Sequence, residues 1–215
     1  MRKKINLNIV MLRTGILAIL IVSIFSCKKA TEKSIQGTIS SEEKFLKASD
    51  FDTILDGKKV RLYWIKNKDI QVAMTNYGGR IIGLWVPDKN GMLTDVVVGM
   101  GTIKGYLKSN EPYFGATIGR VGNRIAKGKF ALNGVEYSVP INNGENALHG
   151  GKKGFQDVVW DVEQPNDHTL VFRYESRDME EGFPGNLSVK VTYSVTPHQE
   201  IVMGYEATTD KTTLL

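Results

Sequence analysis

Three residues in one stretch could hold or activate a polar ligand. Residues 119–151 read GRVGNRIAKGKFALNGVEYSVPINNGENALHGG, with Asn123 beside Arg124 and with His149 in a glycine-rich turn. An arginine presents several N–H donors in a fixed fork, suited to neighbouring oxygens of a polyol. An asparagine adds one acceptor and two donors, which also fit hydroxyl groups. A histidine, with an ordinary pKa of about 6.5, can donate a hydrogen bond or exchange a proton near neutral pH. Gly150 and Gly151 leave room for a ligand to approach the backbone. Each residue also has a plainer role open to it: Arg124 as a clamp on backbone carbonyls, His149 as an ordinary surface residue. His168 and His198 sit in turn segments and read as surface side chains. The three histidines lack metal-ligand spacing, and no HxH or HExxH occurs, so no metal is expected. Asp178, Glu180 and Glu181 read as a solvated loop face that a sugar could also touch, and Asp95 as a turn or cap residue.

These groups can meet only if the chain between them doubles back. Residues 129–132 and 135–139 flank Asn133-Gly134, the strongest short-range hairpin signal. Around this stretch the text is strands and turns. Alternating or β-branched runs cover residues 59–65 (Val60, Leu62 and Trp64 on one face), 70–76 and 80–86. Further runs cover 158–162, 170–175, 187–195 and 201–208. A return strand is expected to begin at residues 95–98, after the turn PDKNG at 87–91, and QPND at 164–167 reads as another turn. Residues 99–114 form a looser, glycine-containing stretch. No segment keeps a 3.6-residue apolar period, so little helix is expected. Many short antiparallel strands predict an all-β fold, a β-sandwich.

The first 27 residues stand apart. Arg2, Lys3, Lys4 and Arg13 precede the apolar run ILAILIVSIF at 16–25, then Ser26-Cys27. This reads as a secretory signal peptide, too short for an ordinary transmembrane helix. The only cysteine follows the apolar run directly, a placement that resembles a bacterial lipoprotein signal. Lipidation at Cys27 would anchor an exported protein to a bacterial membrane on the periplasmic or cell-envelope side. A plain signal peptide with an incidental thiol is the simpler alternative. Residues 28–49 are polar and read as a flexible linker, with a short helix around 41–48. The formal net charge is +5, and the leader's four basic residues account for +4 of it, which leaves about +1. No basic patch points to nucleic acid.

The wording of the motifs narrows the function. TNYGG at 75–79, GRVGNRI at 119–125 and NALHGG at 146–151 occur in one order and with one spacing. Together they closely resemble the aldose 1-epimerase (galactose mutarotase) family, and residues 130–137, 154–160 and 191–193 fit it too. The resemblance covers residues 50–215. It implies an antiparallel β-sandwich of the galactose mutarotase-like type, with no cofactor and an aldohexose as substrate. The implied reaction interconverts the α and β anomers of hexoses such as glucose and galactose by acid–base ring opening. Asn123 and Arg124 match the family's sugar-binding pair. His149 matches the first of two active-site histidines, a supporting role near the ring oxygen. In the family the second histidine (the principal acid), the sugar-binding aspartate and the glutamate base come later than residue 215. The resemblance therefore implies the N-terminal portion of a truncated sandwich, at best weakly active alone. A lipid-anchored, non-catalytic carbohydrate-binding protein is the alternative. Oligomeric state is left open.

Overall fold

The computed structural model describes residues 46–215. The leader over 1–27, with Cys27, and the linker up to residue 45 lie outside the described residues. Just after them the chain makes a 3-10 turn, Ala48–Asp50.

A hairpin of β1 (Thr53–Leu55) and β2 (Lys58–Val60) comes first. An antiparallel sheet follows in sequence order: β3 (Leu62–Lys66), β4 (Gln71–Thr75), β5 (Arg80–Pro87) and β6 (Leu93–Asp95). Next come helix α1 (Ile103–Lys108), β7 (Arg124–Ile125), the hairpin β8 (Lys129–Leu132) and β9 (Val135–Ser138), and β10 (Ala147–Leu148), which pairs with β7. The chain ends in a second antiparallel sheet of β11 (Asp161–Asn166), β12 (Thr169–Ser176), β13 (Leu187–Val195) and β14 (Ile201–Thr209).

Strand alternation decides where the core sits. Along β13, Leu187, Val189, Val191, Tyr193 and Val195 are buried, while the residues between them are more open. They pack with Leu170 and Phe172 of β12, with Ile65, Val72 and Met74 of the first sheet, and with fully buried Trp160. Ala73, between Val72 and Met74, points to the opposite face of β4. There it joins Phe51, Val60, Ile82, Ile103 and Tyr106 in a second core. The expected antiparallel β-sandwich is therefore observed. Val60, Leu62 and Trp64 do share one face, although the run divides into β2 and β3 at Arg61.

Three local expectations need correcting. The return strand after the turn at 87–91 is Leu93–Asp95, not 95–98, because the Asp95 carboxylate accepts from Leu84 N–H at 2.9 Å and Val97 N–H at 3.1 Å, bending the chain away. The run at 158–162 becomes strand only from Asp161, and it continues through Pro165 as an irregular edge strand, where a missing N–H is harmless. The loose stretch holds α1, capped by the Thr102 hydroxyl, which accepts from Gly105 N–H at 3.1 Å.

β14 is unlike its neighbours. Register puts Met203 and Tyr205 on the same face as buried Tyr193 and Val191, yet they are 52% and 60% exposed. Its outer backbone edge pairs with no strand among the described residues. Nor, among those residues, is any helix long and apolar enough to cross a membrane.

Candidate functional site

Asn133 (φ +51°) and Gly134 (φ +79°) make the tight turn between β8 and β9, and β7 pairs with β10 beneath it. Leu148 stands opposite Arg124 in that pairing, so His149 arrives beside Asn123. The return loop is stapled by Asn142. Its Oδ1 accepts from Leu148 N–H at 2.6 Å, and its Nδ2 donates to the Leu148 and Gly151 carbonyls at 3.0 and 2.7 Å. Gly150 is required where it stands, because a Cβ there would lie 1.8 Å from the Gly119 carbonyl oxygen.

Asn123 and His149 hold each other through two hydrogen bonds. His149 N–H donates to the Asn123 carbonyl at 2.9 Å, and Asn123 N–H donates to His149 Nδ1 at 3.0 Å. A ring nitrogen that accepts an amide proton carries none itself, so the neutral imidazole has its proton on Nε2. That N–H has no partner among the described residues. Partial burial, and secondarily the positive charge of Arg124, hold the His149 pKa below its ordinary 6.5. At neutral pH His149 is therefore an uncharged donor.

Arg124 is aimed by two amide oxygens: Nε donates to Asn143 Oδ1 at 3.0 Å and Nη1 to Asn123 Oδ1 at 3.2 Å. Nη2 of Arg124 and Nδ2 of Asn123 have no partner among the described residues, and both residues are exposed. The result is an open wall with donors from three side chains and, among the described residues, no carboxylate in contact with His149. Such a wall suits the hydroxyl and ring oxygens of an uncharged polyol, but supplies no general base. Tyr113 packs against His149, with ring centroids 4.7 Å apart and planes at 66°.

The structure brings together all three residues singled out in the sequence, Asn123, Arg124 and His149. His168 and His198 lie in the β11–β12 and β13–β14 turns, away from this loop pair. The clamp role left open for Arg124 falls to two other arginines. Buried Arg120 donates to the carbonyls of Ser176, Arg177, Pro184 and Gly185, each at 2.9 Å. Buried Arg80 donates to the carbonyls of Tyr77 and Pro112 at 2.9 and 3.1 Å. In the acidic loop Asp178 is exposed, as a solvated face requires, while half-buried Glu180 accepts from the Tyr174 hydroxyl at 2.8 Å and half-buried Glu181 from Lys152 N–H at 2.7 Å. Sequence reasoning missed Tyr113, and nothing in its spacing marks it. Among the described residues no group of histidine, cysteine or acidic side chains could hold a metal ion.

The antiparallel β-sandwich is the fold of galactose mutarotase-like structures. A solved aldose epimerase homologue from C. elegans superposes with a TM-score of 0.69 at 32% identity, over 72% of this chain and 47% of its own. The galactose mutarotase of Rattus norvegicus is 42% identical over 157 residues, and the aldose 1-epimerase of Escherichia coli (strain K12) 32% identical over 157. Each alignment covers 73% of this chain and 45% of the relative. The aldose 1-epimerase family profile matches residues 61–215. The chain belongs to the aldose 1-epimerase family. It spans about half the length of the curated relatives it matches.

Proposed function

We propose that this chain forms the sugar-holding wall of an aldose 1-epimerase that interconverts the α and β anomers of hexoses such as galactose and glucose. The observation that carries the reading is the paired loop geometry: hydrogen bonds link His149 to Asn123 and Asn123 to Arg124, and each of the three keeps a donor without a partner among the described residues. In ring opening, negative charge develops on the ring oxygen as the C1–O bond breaks. A neutral His149 Nε2–H can stabilise that oxygen by a hydrogen bond, while Arg124 and Asn123 hold the neighbouring hydroxyls. The step also needs a base to take the anomeric proton and a proton for the ring oxygen. Among the described residues no carboxylate or second histidine makes a contact with His149. Missing one general acid or base typically costs about 10²–10⁴-fold, so Asn123, Arg124 and His149 by themselves are expected to turn over weakly. Binding without turnover, on a lipid-anchored exported protein, is the second reading, and the Ser26-Cys27 pair just after the apolar run at 16–25 is the observation in its favour.

Saturation-transfer NMR with D-galactose, run beside polarimetry of fresh α-D-glucose, tests both readings. Saturable binding is expected, weakened about tenfold or more in Arg124→Met, with mutarotation slow. Binding that neither Arg124→Met nor His149→Asn changes would refute the site. Mutarotation as fast as that of the E. coli enzyme run alongside would refute its incompleteness.

A further inference from the structure

The Asn123 N–H bond fixes one atom of the His149 ring. That single bond is a weak hold on the ring plane, because the terminal torsion of histidine is broad and roughly two-fold and the ring can swing or flip whenever the bond opens. A second contact supplies what is missing. The Tyr113 ring meets the imidazole edge-to-face at 4.7 Å and 66°, within the range aromatic pairs prefer, about 4.5–7 Å. Tyr113 is half-buried, and its hydroxyl has no partner among the described residues, so its ring makes the contact that matters here.

Tyr113 is itself tied to the core. The carbonyl before it, on Pro112, accepts from Arg80 Nη1 at 3.1 Å, and its own carbonyl accepts from Ala116 N–H at 3.1 Å. Arg80 is 1% exposed and lies between the Tyr77 and Tyr106 rings, 4.9 and 4.6 Å from their centroids. Its Nη2 donates to the Gln156 carbonyl at 2.5 Å, at the far end of the segment that leaves His149. One buried guanidinium therefore grips both loops whose rings meet at the site.

We infer that Tyr113 is a positioning residue for His149, its ring locking the imidazole so that Nε2–H faces the ligand, with Arg80 anchoring both loops. This rests on the reading that His149 meets the sugar, but the ring geometry can be measured without any sugar.

The experiment is long-range ¹H–¹⁵N NMR of the three imidazoles above pH 7, with amide spectra and thermal melts as fold controls. In the unsubstituted protein His149 is expected to show a single Nε2–H tautomer, with ring protons shifted by the neighbouring aromatic ring. Tyr113→Phe should keep both signatures. Tyr113→Leu should keep the amide fingerprint, give averaged tautomer shifts at His149 and weaken D-galactose binding about tenfold. A folded Tyr113→Leu with an unchanged His149 spectrum overturns the inference. So does an unsubstituted protein without the ring-current shift, a result that needs no variant to fold. If Tyr113→Leu disturbs the His149 tautomer and D-galactose binds neither protein, the positioning stands and the sugar-site reading fails.

Discussion

His149 shows how one hydrogen bond chooses a chemical role. With Asn123 N–H directed at Nδ1, the ring is useful as a donor only through Nε2, and only while neutral. Protonation would put a second N–H against the Asn123 amide and break that bond. The depressed pKa sets the sign of the pH dependence. The unfolded chain takes up this proton at about 6.5 and the folded chain only at lower pH. Stability contributed here is thus complete above about 6.5 and is lost as pH falls from 6.5 through the folded value. An NMR titration is expected to place the His149 midpoint below 6.5, with the Asn123 amide resonance moving at the same pH. A midpoint at or above 6.5 would contradict the burial and Arg124 effects.

Elements were legible where local pattern decides them. β13 follows the alternation of its sequence residue by residue, and Asn133-Gly134 turns where such a pair should. Patterns failed where a distant partner intervenes. α1 buries only Ile103 and Tyr106, too few to show a period, and it exists because Thr102 caps it against the second core. The candidate site was legible as residue types and order, but not as contacts. Nothing in the letters separates Arg120, an internal staple, from Arg124, which faces solvent four residues later. Arg120 fastens the 177–186 loop to the 119–124 loop through four backbone carbonyls and the Ser176 hydroxyl. Arg120→Met would orphan them, each at about 1–3 kcal/mol if it stays dry, so a total loss of about 3 kcal/mol or more is expected. Urea unfolding measures it. Arg120→Lys should recover only part, since an ammonium cannot fork to several acceptors in one plane.

For the molecule as a whole, the two sheets share one core, and that core is covered unevenly. β13 is closed over, whereas β14 leaves Met203 and Tyr205 exposed and has a backbone edge that pairs with no strand among the described residues. An open edge with apolar side chains is a template for further strand pairing. The protein described by residues 46–215 should therefore self-associate as concentration rises. Lysines at Val202 and Met203, both about half exposed, should suppress that association in light scattering while shifting stability by no more than about 0.5 kcal/mol. Undiminished scattering in the double variant would locate the sticky surface elsewhere.

The backbone at Asn123 and His149 also constrains how the site can vary. Both residues sit at positive φ, +64° and +52°, which asparagine, aspartate and histidine tolerate far better than most side chains. The two positions thus draw on a short alphabet before any sugar is considered. An alanine scan would mix conformational cost with lost chemistry at both. Asn123→Asp and His149→Asn are the substitutions whose effects can be read as chemistry, and a randomised library should return those letters, with glycine, among its folded members.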